Sequence, residues 1–179
     1  MIEIIKTEIE NCLIINFTKH NDNRGYFTKI FESNFFAKHN LATNFQEIYY
    51  TSSNKGVVRG MHFQLPPADH EKLVHCASGH VLDVVVDLRK SSKSYGKCQA
   101  FQLSEKVPQA IYIPRGMAHG FLSQEDNSTL IYCVTSSHNA SLDTGILWSS
   151  LAYKWPIENP TVSDRDMSFA PLAEFDSPF

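Results

Sequence analysis

The chain is divided into many short segments rich in Val, Ile, Tyr and Phe, each bounded by Gly, Pro, Asn or Ser. The former residues favour strands and the latter favour turns. The segments span 2–5, 12–17, 26–32, 46–52, 57–64, 72–77, 80–88, 98–103, 110–113, 118–123, 129–135 and 146–148. This spacing predicts an all-β sandwich or barrel. One helix is predicted at 33–40, with Ser33 as its N-cap.

Length and charge narrow the class of protein. The 179 residues suffice for one domain, 1–179, with a sizeable core. A net charge of −3 gives no general attraction to nucleic acid or an anionic membrane. We identify neither a signal peptide nor an apolar run that could span a bilayer. The four cysteines form no C-x-x-C pair, which favours free thiols in a cytoplasmic protein.

Side-chain alternation predicts which residues share a face in two strands. One face of 81–88 carries only apolar residues: Leu82, Val84, Val86 and Leu88. The other face carries Asp83, Val85 and Asp87. In 129–135, Tyr132 projects with Leu130 and Val134, into a core or a cavity. The proline-rich tail after Trp155 is predicted to wrap over the barrel.

The segment VVRGMHFQLPP, 57–67, places Arg59 and His62 in an otherwise apolar strand. Strict alternation would put the two side chains on opposite faces. Gly60 between them could host a β-bulge that turns both toward one cavity. The alternative is an edge arginine and a hydrogen-bonded core histidine.

A second motif, P-x-G-x-x-H, lies in IPRGMAHGF at 113–121 and ends at His119. It resembles the second conserved motif of the cupin superfamily, small β-barrels whose lumen holds the site. In many cupins this histidine binds a metal, together with an H-x-H pair and a glutamate. Here His62 is followed by Phe63 and Gln64, and three further histidines fit no metal pattern: His70, His75 and His80. We therefore predict no metal site.

Three charged residues allow two interpretations each. Lys72 could stabilise an oxyanion beside a cavity, or extend its amine to solvent. Asp83 could fix a histidine tautomer, or face water on the strand surface. Ser163 and Asp166 have the spacing of a helix N-terminal cap, whereas a functional interpretation makes Asp166 the partner of a catalytic histidine.

Taken together, the chain resembles the dTDP-4-dehydrorhamnose 3,5-epimerase family of cupin-fold enzymes. The matching stretches are DNRGYFTKIF (22–31), GVVRGMHFQLPP (56–67), KLVHCASGHVLDVVVDLRKSSKSYG (72–96), IPRGMAHGF (113–121), LIYC (130–133) and KWPIENPTVSDRD (154–166). The resemblance implies a cupin jelly roll, a double-stranded β-helix with a few short helices, that forms a homodimer by exchanging N-terminal strands. It also implies a nucleoside-diphosphate sugar substrate, a place in deoxysugar and surface polysaccharide biosynthesis, and no metal or other cofactor.

The resemblance also implies roles for individual residues. His62 is the general base, Asp166 orients it, and Tyr132 is the opposing general acid. Lys72 lies beside the keto oxygen. His119 and Asp83 form a second polar pair in the lumen, while Arg24 and Arg59 bind the diphosphate, with Arg24 supplied across the dimer.

These residue types suit the chemistry of a 4-keto sugar. Removal of the C3 or C5 proton gives an enolate, and a neutral histidine is a suitable base near pH 7. A carboxylate fixes its tautomer, and a lysine stabilises the enolate oxygen. Inversion needs an acid on the opposite face, which Tyr132 provides. No redox cofactor is required.

The chain departs from the family pattern just before the first motif. Counted back from Gly56 without a gap, Glu47 stands where glutamine is expected and Tyr49 where asparagine is expected, whereas a one-residue gap would place Gln46 at the glutamine position. Lys29 replaces an acidic residue. A carboxylate only accepts hydrogen bonds, so it would suit guanine better than thymine. We hypothesise that Glu47 and Tyr49 bind substrate and that the nucleotide or the sugar differs.

The sequence is compatible with three alternative functions. A cupin 3,4-ketoisomerase would use a similar enolate, and the His62, Tyr132 and Asp166 set favours epimerisation over it. A non-catalytic nucleotide-sugar-binding cupin would have no need of the base and acid. A metal-dependent cupin oxygenase or isomerase would hold a transition metal. The sequence leaves open whether C3, C5 or both are inverted.

Overall fold

The computed structural model describes residues 2–179, which form two antiparallel β-sheets packed face to face. The strands are β1 (Glu3–Lys6), β2 (Leu13–Asn16), β3 (Lys19–Asp22), β4 (Gly25–Thr28), β5 (Glu47–Ser53), β6 (Val58–Gln64), β7 (Lys72–Ser78), β8 (His80–Asp87), β9 (Cys98–Ser104), β10 (Gln109–Ile113), β11 (Met117–Ser123), β12 (Ser128–Val134) and β13 (Asp143–Gly145). Two α-helices, α1 (Ser33–Lys38) and α2 (Asp164–Met167), and two short 3-10 helices, Trp148–Ser150 and Leu172–Glu174, complete the described structure. The all-β prediction is confirmed.

The sheets have six and five strands, and a separate hairpin lies outside both. The six-stranded sheet has the order β1-β2-β10-β7-β12-β5, and the five-stranded sheet has the order β13-β6-β11-β8-β9. β3 and β4 pair only with each other among residues 2–179. Strands distant in the chain are thus neighbours in each sheet, as in a jelly roll.

Three apolar clusters cover the faces of the two sheets, one between the sheets and one on the outer face of each. The first fills the space between the sheets and includes Val85, Leu130 and Val134. The second lies on the outer face of the five-stranded sheet, where the C-terminal tail packs through Trp155. The third lies on the outer face of the six-stranded sheet, under α1 and its fully buried Phe36.

β8 shows how alternation works in a strand covered on both sides. Its four predicted apolar partners all belong to the second cluster: Leu82, Val84, Val86 and Leu88. Val85 points the other way, into the inter-sheet core. Because both faces are covered, Asp83 and Asp87 are fully buried. The alternative of a water-exposed Asp83 is therefore wrong.

Three local predictions are corrected. Ser33 is the first residue of α1, and the N-cap residue is Glu32, without a side-chain capping bond. β4 ends at Thr28 and does not continue to 32. The apolar run 146–148 is not a strand, because Ile146 ends its backbone pairing with Met61 and the chain turns into a 3-10 helix. Short apolar runs fit either structure, so periodicity could not decide this.

Within residues 2–179, no helix has the length and apolar character that crossing a membrane requires. The described cysteines are all unpaired: Cys12, Cys76, Cys98 and Cys133.

Candidate active site

A β-bulge in β6 turns Arg59 and His62 toward the same cavity. His119 and Phe121 of β11 are two residues apart, yet they pair with His62 and Arg59, which are three apart. The extra residue lies at Gly60, whose φ is +123° and where a Cβ would come within 2.6 Å of the Gly120 Cα. Only glycine fits there. The predicted bulge is confirmed.

Two connected cavities lie at one end of the space between the sheets. The inner cavity, about 140 Å³, is lined by Tyr49, Thr51, Arg59, His62, Lys72, His119, Gly120, Phe121 and Tyr132. The outer cavity, about 400 Å³, is lined by Glu47, Tyr49, His62, Phe63, Gln64, His70, Lys72, Val134, Ser136, His138, Asp143 and Arg165. Tyr49, His62 and Lys72 line both and therefore mark their junction.

His62 is held by Asp166, 104 residues away in sequence. The His62 Nε2 lies 2.8 Å from Asp166 Oδ1, and Asp166 Oδ2 accepts a hydrogen bond from the Gly60 backbone N–H at 2.8 Å. Burial raises the pKa of Asp166, but the hydrogen bonds from His62 and Gly60 outweigh it and hold the pKa below its usual value. The carboxylate thus stays charged, requires the proton on His62 Nε2, and leaves Nδ1 free to accept another.

Asp166 takes part both in a helix cap and in a contact with His62. Ser163 Oγ accepts a hydrogen bond from the Asp166 backbone N–H at 3.1 Å, which caps α2. The capped backbone fixes where α2 begins, while the Asp166 side chain leaves the helix and reaches His62. The cap therefore positions the carboxylate.

Lys72 is buried, with its amine at the junction of the two cavities. Its Nζ donates a hydrogen bond to the His62 carbonyl at 3.2 Å. Burial lowers the pKa of Lys72 to about 8, although the carboxylates of Asp143 and Asp83 oppose the shift. The alternative of a lysine extended to solvent is wrong.

Tyr132 projects from the six-stranded sheet into the inner cavity, as strand alternation predicts. Its ring lies between two others, the Tyr49 ring on one side and the His119 ring on another. Burial raises the pKa of Tyr132, so the hydroxyl keeps its proton at neutral pH and can donate it.

His119 and Asp83 form a second histidine–carboxylate pair beneath Tyr132. The His119 Nε2 lies 2.7 Å from Asp83 Oδ2, and both side chains are buried. Asp83 Oδ1 is also buried and has no hydrogen-bond partner among the described residues. Such a pair is expensive to break, because the remaining carboxylate would be left uncompensated.

The two arginines occupy different places. Arg59 is exposed at the inner cavity, where its Nε donates to Ser53 Oγ at 2.9 Å. Arg24 lies at the turn of the β3–β4 hairpin, pairs with Asp22 at 2.7 Å and has an 86% exposed side chain. Arg24 lines neither cavity in this chain.

Glu47 and Tyr49 do point into the outer cavity, from β5. The Glu47 Oε1 accepts a hydrogen bond from the His138 backbone N–H at 2.9 Å. Glu47 thus attaches the loop after β12 to the edge strand. Burial, with the carboxylates of Asp143 and Glu47, raises the pKa of Tyr49 to about 12.

Several cavity residues were missed by sequence reasoning. Arg165 pairs with Asp143 at 2.7 Å and lies over the Phe169 ring, so the residue before Asp166 also forms a wall. Gln64 fixes the loop after β12 by accepting from the Asn139 backbone N–H at 2.6 Å. Adjacency to Asp166 could have indicated Arg165. Gln64 and Asp143 lie at the ends of β6 and β13, and the sequence does not show that these two strand ends meet at a cavity.

No group of three His, Cys, Asp or Glu side chains in residues 2–179 is arranged to hold a metal ion. The predicted metal-free chemistry stays a prediction, and metal analysis of the purified protein would test it.

The jelly-roll barrel holds a histidine–aspartate pair, a buried lysine and an inward tyrosine in its lumen, which is the side-chain set of an enzyme that works by general acid–base catalysis. The model of the dTDP-4-dehydrorhamnose 3,5-epimerase family matches residues 6–174. The chain belongs to this family, and it is an epimerase, an isomerase-class enzyme.

Individual relatives agree with this assignment. The chain is 38% identical over 168 residues to the dTDP-4-dehydrorhamnose 3,5-epimerase of Shigella flexneri, which covers 92% of this chain and 93% of the relative. A Legionella pneumophila dTDP-6-deoxy-D-glucose-3,5-epimerase in complex with dTDP-4-keto-L-rhamnose superposes with a TM-score of 0.93, at 29% identity, and covers 98% of this chain and 95% of that one. A 3'-monoepimerase from Streptomyces bikiniensis in complex with dTDP-quinovose gives 0.87, at 27% identity, and covers 93% and 86%.

Proposed function

We propose that this chain epimerises a nucleoside-diphosphate 4-keto-6-deoxy sugar at C3, C5 or both. One observation carries the proposal: His62, held by Asp166, projects from the five-stranded sheet, while Tyr132 projects from the facing sheet into the same cavity. A base and an acid on opposite walls suit inversion at a carbon held between them.

The chemistry follows from which nitrogen and oxygen atoms are free. His62 Nδ1 accepts the proton from the carbon next to the keto group, and Asp166 stabilises the imidazolium that forms. The charge moves onto the keto oxygen, where protonated Lys72 stabilises the enolate. Tyr132 then delivers a proton to the opposite face of the same carbon. Solvent afterwards reprotonates the Tyr132 oxygen and takes up the proton from His62 Nδ1, which restores the enzyme.

The diphosphate is proposed to bind at Arg59, whose guanidinium is exposed beside the inner cavity. Arginine matches phosphate oxygens in a bidentate geometry.

The hypothesis that Glu47 binds the nucleobase must account for the hydrogen bond from the His138 backbone N–H, which already occupies one oxygen of the Glu47 carboxylate. Calorimetry with dTDP, GDP and CDP tests it: tight dTDP binding without GDP or CDP binding would refute an altered nucleotide preference.

We also propose that the enzyme is a homodimer, with the β3–β4 hairpin as the exchanged element. β5 is the edge strand of the six-stranded sheet, and among residues 2–179 only β12 pairs with it. Its Ile48 and Tyr50 face outward and are 70% and 74% exposed. Within residues 2–179 the hairpin pairs with no other strand, and it exposes Tyr26 and Phe27. An exposed apolar edge strand is normally covered, and a second copy's hairpin would do so while bringing its Arg24 toward the cavity. Sedimentation of the wild type and of a Tyr26→Asp, Phe27→Asp variant tests the homodimer, since a monomeric wild type would contradict it.

A cytoplasmic location stays a prediction.

Proton exchange tests the epimerase proposal directly. The enzyme is incubated in deuterated water with dTDP-, GDP- and CDP-linked 4-keto-6-deoxy sugars, and deuterium at C3 and C5 is located by NMR. Exchange at one or both carbons with inversion is expected. Absence of exchange with every substrate would refute the epimerase, and transfer of the keto group to C3 would identify a 3,4-ketoisomerase.

Replacing Tyr132 by phenylalanine separates the two proton transfers. Tyr132→Phe removes the hydroxyl and keeps the ring, so inversion should fall by roughly 10²-fold or more while some exchange at the base face continues. Wild-type turnover in this variant would show that Tyr132 is not the acid.

A further inference from the structure

Tyr49 lies flat against the proposed acid. Tyr49 of β5 and Tyr132 of β12 are direct cross-strand partners, so their side chains project side by side from the same face of the sheet. Their ring centroids are 4.9 Å apart and their planes differ by 13°. This contact is a parallel stack of two rings that line the inner cavity.

The other side of Tyr132 is also fixed. The edge of the His119 ring contacts it, with centroids 6.0 Å apart and planes at 64°. His119 itself cannot move freely, because Asp83 holds its Nε2 at 2.7 Å. The Tyr132 ring is therefore confined between a rigid buried histidine and Tyr49.

Tyr49 is the accessible half of this arrangement. It is 42% exposed, whereas Tyr132 is buried. It also lies at the junction of the inner and outer cavities, beside His62 and Lys72. Its ring thus separates Tyr132 from the outer cavity, and loss of the ring would free Tyr132 on that side.

We propose that Tyr49 is a positioning residue, whose ring holds Tyr132 in the orientation that delivers a proton to the sugar face opposite His62. The proposal rests on the proposed epimerase function. It assigns the role to the ring and not to the Tyr49 hydroxyl. It further implies that Tyr49 affects reprotonation more than proton removal, because its stacking partner is the acid and not the base.

Two variants at this position test the role. Tyr49→Phe keeps the stack and serves as the matched control, whereas Tyr49→Ile removes the ring and keeps a residue that favours strands. In deuterated water, net inversion and deuterium in recovered, uninverted substrate are measured for both. Tyr49→Phe keeps the ring and should therefore keep the wild-type ratio of exchange to net inversion, whatever its effect on substrate binding. Tyr49→Ile should lose net inversion by roughly tenfold or more, on the scale of a lost aromatic pair and a misplaced acid, while exchange falls by less than about threefold.

The ratio of exchange to inversion decides the outcome. A rise in this ratio for Tyr49→Ile alone supports the proposal. Equal losses of exchange and inversion would overturn it and indicate a merely structural role. An equal rise in this ratio for Tyr49→Phe and Tyr49→Ile would overturn it in favour of a hydroxyl role. Normal wild-type exchange in the same experiment shows that such failures concern Tyr49 and leave the epimerase proposal intact. If Tyr49→Ile does not fold, Tyr49→Val with a matched melting curve replaces it.

Discussion

The barrel contains two histidine–aspartate pairs that are alike in chemistry and different in surroundings. His62 and His119 are direct partners on adjacent strands β6 and β11, and each Nε2 lies within 2.8 Å of a carboxylate. The His62 side chain is 31% exposed, whereas that of His119 is 3% exposed. Although the two residues are adjacent in one sheet, the His62 imidazole lies at the junction of the two cavities and the His119 imidazole lines only the inner cavity.

The carboxylates differ in the same way. Asp166 comes from the C-terminal tail, and both of its oxygens accept hydrogen bonds. Asp83 comes from the central strand β8 and leaves one buried oxygen without a partner. A satisfied pair at a cavity can exchange protons with a ligand, whereas a buried pair mainly fixes structure.

The largest effect is expected at the accessible histidine. His62→Ala removes the proposed base, so deuterium exchange at C3 and C5 should fall by about 10³-fold or more. The melting temperature should fall less than in the corresponding variant of His119, because His62 is partly exposed and Asp166 keeps its hydrogen bond from the Gly60 backbone N–H. NMR-detected exchange and calorimetry measure the two quantities. Exchange near the wild-type rate would exclude His62 as the base.

A smaller loss is expected at its carboxylate. Asp166→Asn can donate to His62 Nε2 and thereby favour the wrong tautomer, so exchange should fall by about 10²-fold. Steady-state rates across pH check this. An unchanged pH profile together with full activity would show that Asp166 only caps α2.

Lys72 should set the alkaline limit of activity. Burial lowers its pKa to about 8, and only the protonated amine stabilises the enolate. As pH rises from 7 to 9 the charge is lost, so kcat/KM should fall by roughly tenfold. Lys72→Arg, which stays charged, should remove this fall even if its maximal rate is lower. A wild-type profile that stays flat to pH 9 would contradict the assignment.

The smallest effect on activity is expected at the buried pair, where stability should suffer instead. His119→Ala leaves Asp83 uncompensated, at a cost of about 3–5 kcal/mol. For a chain of this size, that lowers the melting temperature by roughly 10 °C. Exchange by the folded variant should fall by less than about tenfold. A melting temperature equal to that of His62→Ala would show that the pairs do not differ as described.

Local alternation along the chain predicted a large part of this arrangement. The inward direction of Tyr132, the two faces of β8 and the bulge at Gly60 follow from a period of two and from the freedom of glycine. These features depend on neighbours in sequence. The N-cap at Ser33 and the strand at 146–148 were wrong, because side-chain packing chose among local structures of similar propensity.

The sequence by itself determined the strand pattern, the residue types at the cavity and, through its motifs, the family. Only the tertiary structure decided which of these residues meet. Asp166 reaches His62 across 104 residues, Arg165 meets Asp143, and Tyr49 stacks on Tyr132 because β5 pairs with β12. The physical reason is that the residues of a strand determine, by alternation, toward which face of the sheet each side chain projects. They do not specify which distant strand or tail will close over that face.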